Sequence, residues 1–261
     1  MLHQIWLIGG TTESVDLACC LRNSQLPCLV TVVTKSAQGL YPPSPWLQIR
    51  TEALADNTIE PFIYNHHIAA ILDASHPYAT EISRLAMGAA VQFKLPYLRF
   101  ERSPTCHPSA ANQDGPIEIS DLSSLFEQDY LLNQRVLLTI GSRALRHFIQ
   151  WHQHSTLFAR VLPQVQAIQA AEKAGFSCDR ILALRPPISF DLEKALWEQW
   201  QISVVVAKAS GQPGGEDIKR QVAQALGVTL IMIKRPSLTY PQQTSDLNTA
   251  VQFCQAALNP K

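Results

Sequence analysis

The segment QIWLIGGTTESVDLACCL, residues 4–21, decides the fold class, because an apolar run turns through two glycines into a stretch with helical periodicity. A strand, a tight glycine turn and a helix in this order are typical of nucleotide-binding α/β folds. The turn departs from the G-x-G-x-x-G pattern, since Gly9 and Gly10 are adjacent and no third glycine follows. From this stretch alone, a phosphate-binding turn and a plain strand–helix connection capped by threonine are equally good interpretations.

Apolar, β-branched runs recur along the chain, and most are separated by stretches with helical periodicity. The predicted strands lie near residues 4–8, 28–34, 47–51, 68–73, 95–99, 135–140, 157–162, 180–184, 202–208 and 228–234. Strands that alternate with helices form parallel sheets with helices on both faces. The sequence therefore predicts an α/β protein with mostly parallel sheets.

The strand–glycine–helix pattern restarts at RVLLTIGSRAL, residues 135–145. The preceding residues 101–120 are rich in Pro, Ser, Asn and Asp and predict a loop on the first domain. We therefore expect two Rossmann- or flavodoxin-like domains, residues 1–133 and 134–261, each with a sheet of about five strands. Ligands of such sheets bind beyond the carboxyl ends of the strands, so the expected site is a cleft between the two domains.

Composition restricts the classes of partner. Of the 261 residues, 46% are hydrophobic, and the 21 Lys and Arg balance the 21 Asp and Glu. This balance predicts no bulk attraction to nucleic acid or to an anionic membrane, and no apolar run approaches the roughly 18 residues of a membrane helix. No secretory signal is recognisable, and the six scattered cysteines contain no C-x-x-C pair. We expect a cytoplasmic protein with reduced thiols and no metal site, while the oligomeric state stays open.

The residues after the second predicted strand bear on cofactor choice. An acidic residue at this point binds the ribose hydroxyls of NAD, whereas a basic one suits the 2′-phosphate of NADP. Here the strand runs into Thr34, Lys35 and Ser36, with no carboxylate in reach. If a dinucleotide binds, Lys35 favours NADPH over NADH, and a solvated loop lysine is the alternative.

The fourth predicted strand ends in LDASHPYATE, residues 72–81. Asp73 leaves the strand, and Pro77 keeps His76 out of helical geometry, so the imidazole is expected to project from the carboxyl end of the strand. A histidine there can supply a proton or hydrogen-bond a substrate. A turn histidine that is satisfied by the backbone is the alternative interpretation.

Basic residues lie beside several other predicted turns. They are Arg99, Arg102, Arg143, Arg160, Lys208 and Lys219, accompanied by Ser210 and Gly211. Taken singly, each charge is typical of a solvated surface. Their repetition at strand ends, beside glycine-rich backbone, indicates a ligand that carries several carboxylates or phosphates.

Seven segments, in this order, resemble the precorrin-6A reductase family of cobalamin biosynthesis. They are LIGGTTES, DASHPYA, PYLRFERSP, LLTIGSRAL, ARVLP, AKASGQPGGEDIK and IKRP. The resemblance covers nearly the whole chain, and DASHPYA and AKASGQPGGEDIK are its most specific parts. It implies two α/β domains, a nicotinamide cofactor, and hydride transfer to one carbon–carbon double bond of a tetrapyrrole macrocycle that carries many carboxylates.

The residue patterns and the resemblance together predict roles for individual residues. The expected cofactor-binding residues are Gly9, Gly10, Thr11, Thr12, Lys35, Ser36, Asp73 and Ser75. The expected catalytic residues are His76 and Tyr78, which would flank the contact between nicotinamide and macrocycle. The expected substrate-binding residues are Arg99, Arg102, Arg143, Arg160, Lys208, Ser210, Gly211 and Lys219. His76 is the first candidate for the proton donor, with water or a substrate carboxyl as alternatives.

Some choices stay open at this point. NADPH is the expected cofactor, with NADH as the alternative, and the substrate is either metal-free or bears cobalt. A cofactor-free two-domain tetrapyrrole lyase similar to uroporphyrinogen-III synthase would share the paired α/β domains and the basic residues. A non-enzymatic two-lobed binding protein is a further alternative. Only the reductase requires NADPH to bind.

Overall fold

The computed structural model describes residues 3–101, 115–211 and 214–259. The strands are β1 Gln4–Ile8, β2 Cys28–Val32, β3 Leu47–Thr51, β4 Ile68–Asp73, β5 Tyr97–Phe100, β6 Ile117–Ile119, β7 Arg135–Thr139, β8 Thr156–Val161, β9 Ile181–Ala183, β10 Val204–Lys208, β11 Thr229–Ile233 and β12 Gln243–Thr244. The α-helices are α1 Thr12–Asn23, α2 Lys35–Gln38, α3 Asp56–Asn65, α4 Thr80–Gln92, α5 Leu122–Phe126, α6 Val165–Lys173, α7 Phe190–Gln199, α8 Glu216–Leu226 and α9 Leu247–Leu258. The segments Asp129–Leu131, Ser142–Gln153 and Cys178–Arg180 are 3₁₀-helical.

Two parallel sheets organise the described strands. The first has the order β12-β5-β4-β1-β2-β3, and the second has the order β6-β11-β10-β7-β8-β9. The strand order reverses between β1 and β4 in the first sheet and between β7 and β10 in the second. Because ligands of doubly wound sheets bind beyond the carboxyl ends of strands at such a reversal, these two edges are the places to examine for function.

Both faces of the first sheet are buried, as strand β1 shows. Successive side chains of a strand point to opposite faces. Ile5 and Leu7 lie in a core with residues of α1 and α9, whereas Trp6 and Ile8 lie in a core with residues of α3 and α4. Helices on both faces explain why β1 reads as a continuous apolar run rather than as an alternating one.

The predicted fold class is confirmed, and all ten predicted strands are present. Each sheet has six strands rather than about five, because the two- and three-residue edge strands β12 and β6 are too short to show as apolar runs. The loop expected over residues 101–120 contains strand β6 at its end, and residues 102–114 lie outside the described residues. No helix in the described parts of the chain is long and apolar enough to cross a membrane.

The compact units of the structure do not follow the boundary expected between residues 133 and 134. One unit comprises Met1–Ser103 and Pro236–Lys261, and the other comprises Pro104–Arg235. Strand β6 precedes the expected boundary but pairs with β11 in the second sheet. Strand β12 pairs with β5, and helix α9 packs on the first sheet, so the C-terminal segment returns to the first unit. A chain that leaves a unit and comes back gives no local signal in its sequence.

Candidate functional site

Three loops meet at the carboxyl edge of the first sheet. Strand β1 lies between β2 and β4, and Ile8 is in register with Thr31 on one side and Asp73 on the other. The glycine turn follows β1, the Lys35–Ser36 segment follows β2, and the His76 segment follows β4. Neighbouring strands are about 4.8 Å apart, so the three predicted cofactor segments form one continuous edge.

Gly9 and Gly10 are required for different reasons. A Cβ atom added to Gly9 would overlap the Tyr41 hydroxyl oxygen, so no larger residue fits there without moving the tyrosine. Gly10 has φ +105°, which favours glycine, and a Cβ atom added to it would meet nothing within 4 Å. The outer side of Gly10 is therefore open to the close approach of a bound group such as a phosphate.

Hydrogen bonds fill the inner side of the glycine turn. Ser14 Oγ accepts from the backbone N–H groups of Gly10 at 3.1 Å and Thr11 at 3.0 Å, and donates to the Thr11 carbonyl at 2.7 Å. Tyr41 Oη accepts from the Gly10 N–H at 2.8 Å and lies 2.6 Å from Ser14 Oγ. Burial raises the pKa of Tyr41, so its hydroxyl stays protonated in this cluster. The N–H groups of Gly10 and Thr11 are thus bonded within the protein, and the N–H groups of Ser14 and Val15 in the first turn of α1 are bonded to the side chain and carbonyl of Thr11.

Thr11 connects the glycine turn to the loop after β4. It is the N-cap of α1, and its Oγ1 accepts from the Ser14 N–H at 3.1 Å. The same hydroxyl donates to the Ala74 carbonyl at 2.9 Å. Because its one proton is used there, the Thr11 side chain supports the two loops rather than offering a donor to a phosphate.

Lys35 and Ser36 begin the short helix α2 and are both exposed. Thr34 caps this helix, since its Oγ1 accepts from the Ala37 N–H at 3.2 Å. Thr34 Oγ1 also lies 3.1 Å from Ser36 Oγ. The cap fixes where the lysine leaves the backbone, next to the strand that carries the glycine turn.

His76 is exposed and lies in the turn between β4, which ends at the buried Asp73, and α4. Its carbonyl accepts from the Ala79 backbone N–H at 2.7 Å, which closes this turn. The Tyr78 backbone N–H donates to His76 Nδ1 at 3.3 Å, and the rings of His76 and Tyr78 lie 5.7 Å apart. Because Nδ1 accepts this hydrogen bond, the neutral imidazole carries its proton on Nε2.

Asp73 and Arg99 form a buried ion pair instead of facing a ligand. Arg99 Nη1 lies 2.9 Å from Asp73 Oδ1, and the two side chains are 1% and 0% exposed. Arg99 also pairs with Glu101 at 2.9 Å. Neither side chain offers a surface for the direct ligand contacts expected from the sequence. Ser75 is buried beside them, with its Oγ 3.0 Å from Arg99 Nη1.

Two cations lie together at the carboxyl edge of the second sheet. Lys208 is the last residue of β10, and Arg143 lies at the start of the 3₁₀-helical segment after β7. These strands are neighbours, with Ala207 in register with Thr139. Burial and then the charge of Arg143 lower the pKa of Lys208. A carboxylate placed here would relieve this repulsion, which suits the predicted substrate contacts.

A second pair of cations surrounds a small cavity in the same unit. Arg160 Nη1 donates to Glu193 Oε2, and Glu193 Oε1 accepts from Trp197 Nε1 at 3.0 Å. Lys219 Nζ donates to the Gly214 carbonyl at 2.6 Å. Burial, followed by the charge of Arg160, lowers the pKa of Lys219 to about 8. The cavity is lined by Arg160, Pro186, Ile188, Glu193, Gly214, Gly215, Ile218 and Lys219.

The glycine-rich loop after β10 is held by its own contacts. The Gly211 N–H donates to Glu216 Oε2 at 2.9 Å, and a Cβ atom on Gly214 would overlap Ser210 Oγ. Ser210 and Gly211 therefore shape the loop beside Lys208, and direct contact with substrate stays a prediction for both. Arg102 lies outside the described residues.

Several residues with structural roles at these edges were not found from the sequence. Ser14 has a partial signal, because it stands at the third helical position after Thr11, the spacing of a capping box. Tyr41 and Glu193 have no signal in the sequence, because their hydrogen-bond partners are distant along the chain.

Comparisons with known proteins agree with the geometry. The family model described as Precorrin-6x reductase CbiJ/CobK matches residues 4–255. A protein of Synechocystis sp. named cobalt-precorrin-6A reductase is 47% identical over 260 residues, covering 98% of each chain. One of Priestia megaterium with the same name is 30% identical over 239 residues, covering 90% of this chain and 92% of its own.

Among solved structures, one titled CobK precorrin-6A reductase superposes with a TM-score of 0.76 at 22% identity, covering 98% of this chain and 97% of its own. At this identity the likeness shows a shared fold. The family model and the two relatives extend over almost the whole chain. The chain belongs to the precorrin-6x reductase family.

Proposed function

We propose that this protein uses NADPH to reduce one carbon–carbon double bond of the precorrin-6A or cobalt-precorrin-6A macrocycle in cobalamin biosynthesis. Family membership supports the reaction, and the names of the relatives support the substrate class. The observation that carries the cofactor assignment is the order of segments along the carboxyl edge of the first sheet.

That order matches the order of groups along NADPH. Strand β2 leads to Lys35, β1 leads to the glycine turn, and β4 leads to His76, and these strands are neighbours. The 2′-phosphate, the pyrophosphate and the nicotinamide would meet these segments in the same sequence. The open outer side of Gly10, just before the positive end of the α1 dipole, fits a phosphate group.

Bound NADPH would supply the hydride, and reduction of a double bond requires one proton in addition. His76 is an exposed titratable side chain next to the proposed nicotinamide position. Its Nδ1 accepts from the Tyr78 backbone, so Nε2 is the atom that can donate to the macrocycle. We assign His76 and Tyr78 to placing the reacting bond, and the proton comes from His76, water or a substrate carboxyl.

The second unit supplies charge for the carboxylates of the substrate. Arg143 and Lys208 are the first candidates, because their mutual repulsion is relieved when an anion binds. Arg160 and Lys219 are the second, although Glu193 already neutralises part of their charge. Lys219 is buried, Lys208 and Arg160 are partly buried and Arg143 is exposed. Hydrogen bonds from such cations to a carboxylate are roughly twice as strong as hydrogen bonds between neutral groups.

The deciding experiment is turnover of metal-free and cobalt-bearing precorrin-6A with NADPH and with NADH, followed by absorbance. We expect oxidation of NADPH that depends on one of the two substrates. Quenching of protein fluorescence from the five tryptophans by NADPH separates the reductase from a cofactor-free lyase or a binding protein. Folded protein that neither binds NADPH nor oxidises it with either substrate would refute the proposal.

A further inference from the structure

The carboxylate of Asp73 is the centre of a buried network at the carboxyl ends of β4 and β5. Its Oδ1 accepts from Arg99 Nη1 and from the Ser75 backbone N–H, each at 2.9 Å. Its Oδ2 accepts from Ser83 Oγ at 2.6 Å and from Tyr97 Oη at 2.7 Å. Burial, followed by the charge of Asp73, raises the pKa of Tyr97, so the phenol remains a donor.

This network holds the segment that carries His76. Arg99 Nη1 also donates to Ser75 Oγ at 3.0 Å, so Ser75 is fixed through both its backbone and its side chain. Thr11 Oγ1 donates to the Ala74 carbonyl at 2.9 Å. The two residues before His76 are therefore tied to β5 on one side and to the glycine turn on the other.

Arg99 is held in turn by the nearby Glu101 and by residues 240–242, which are distant in sequence. Glu101 Oε2 accepts from Arg99 Nε at 3.1 Å and Nη2 at 2.9 Å. The Arg99 backbone N–H donates to the Gln242 carbonyl at 2.9 Å, where β12 lies beside β5. The ring of Tyr240 lies 5.2 Å from the guanidinium carbon and is stacked on Tyr97 with 9° between the ring planes.

Tyr240 covers the outer side of this network. Its side chain is half-buried, and its ring stacks on Tyr97, whose hydroxyl donates to Asp73. An aromatic ring over a guanidinium attracts the cation and excludes water, which strengthens the ion pair beneath it. Loss of the ring would therefore hydrate and loosen the pair of Arg99 and Asp73.

We propose that Tyr240 is a positioning residue for the reduction: it holds Arg99 against Asp73 and thereby sets where His76 stands relative to the glycine turn. The effect on turnover rests on the proposed function. The effect on the position of the His76 segment does not, and it is measurable without substrate.

The test compares three variants. Tyr240→Leu removes the ring, and Tyr240→Phe keeps the ring while removing the hydroxyl. Tyr64→Leu is the matched control, because Tyr64 is an exposed tyrosine near the amino end of β4. Hydrogen exchange of residues 74–79, NADPH affinity, thermal stability and turnover at saturating NADPH and substrate are measured for each.

We expect Tyr240→Leu to raise exchange in residues 74–79 severalfold and to lower saturating turnover about tenfold, as misplacement of a reacting group does. NADPH affinity should stay within about threefold, because the proposed phosphate contacts are in the loops after β1 and β2. Tyr240→Phe should recover most of the turnover, and Tyr64→Leu should match the wild type.

Unchanged exchange in a folded Tyr240→Leu variant would overturn the proposal, as would raised exchange with wild-type turnover. The proposal would also be overturned if turnover fell in proportion to thermal stability, and by the same amount in Tyr240→Leu and Tyr64→Leu. Tyr240 would then contribute only to general stability. If the wild type reduces neither substrate, the proposed function fails separately, and the exchange comparison still decides whether Tyr240 holds the segment.

Discussion

The hydroxyl oxygen of Tyr41 lies 2.8 Å from the amide nitrogen of Gly10 and accepts its hydrogen bond from the core side of the turn. Backbone amides of such turns are the groups that commonly face a phosphate. Here the Gly10 amide points inwards, so the two glycines shape the turn. A phosphate bound at this turn would therefore have to approach from the open side of Gly10.

Because Gly9 and Tyr41 are in contact, we expect the effects on stability of substitutions at these two positions to be coupled. Gly9→Ala should destabilise the protein by about 1 to 3 kcal/mol, the usual cost of overpacking, because the new Cβ would overlap Tyr41 Oη. Tyr41→Phe should cost about 0.5 to 1.5 kcal/mol for the lost hydrogen bond. In the double variant the nearest tyrosine-derived atom is Cζ at 3.2 Å, so Gly9→Ala should cost less there than in the wild type.

Urea denaturation of the wild type, both single variants and the double variant measures this coupling. A residual cost is expected from Val30 Cγ1, which lies 3.0 Å from the added atom. Strictly additive losses would contradict a direct contact between the two positions.

Lys35 predicts the preference between nicotinamides. Lys35→Gln removes a charge next to the proposed 2′-phosphate and should weaken NADPH binding by about 1.5 to 3 kcal/mol, roughly ten- to a hundredfold. NADH binding should be unchanged. Fluorescence titration with both cofactors measures the ratio, and Lys94→Gln, an exposed lysine before β5, is the matched control. Equal NADPH affinity in Lys35→Gln and wild type would show that Lys35 does not contact the 2′-phosphate.

Lys219 predicts a dependence of stability on pH. Its pKa is lowered from 10.5 to about 8, first by burial and then by Arg160. Between these values the unfolded chain binds a proton that the folded chain has lost, so the contribution of Lys219 to stability rises with pH from about 8 to 10.5. Below pH about 8 Lys219 is charged in the folded protein, and burial of this charge lowers the free energy of unfolding by its full amount.

The comparison of wild type with Lys219→Met isolates this group from other residues that titrate in the same range. The difference in free energy of unfolding, wild type minus variant, should increase by about 1 to 3 kcal/mol between neutral pH and pH ~10. Chemical denaturation at several pH values measures the difference. A difference that stays constant with pH would show that the Lys219 pKa is not lowered in the folded state.

Secondary structure was predictable because it depends on local patterns. The apolar runs located ten strands, and the glycine turn and the DASHPYA block were placed correctly at carboxyl ends. The pairing of Asp73 with Arg99 was not predictable. In the sequence, an acidic and a basic residue at two strand ends are equally consistent with a buried ion pair and with two separate ligand contacts, and only the pairing of the strands distinguishes them. The return of β12 beside β5 was missed for the same reason, because it depends on contacts between residues far apart in sequence.

The contact of Tyr78 N–H with His76 Nδ1 makes it practical to separate a chemical from a placing role for this histidine. His76→Asn keeps an acceptor near the position of Nδ1 and removes Nε2. His76→Gln puts an amide donor near the position of Nε2 but has no titratable proton. The two variants therefore test the loop contact and the outward-facing contact separately.

If His76 is the proton donor, both variants should lower turnover at saturating NADPH and substrate by about 10²–10⁴-fold, the usual span for a general acid. They should also remove the pH dependence that a general acid gives to the rate. If His76 places the substrate, His76→Gln should keep most of the saturating rate, and His76→Asn should weaken substrate affinity by about tenfold. We expect the second result, because water can deliver the proton once the hydride has been transferred. Single-turnover kinetics with saturating NADPH decide between the two, and a wild-type rate in His76→Gln excludes the general-acid role.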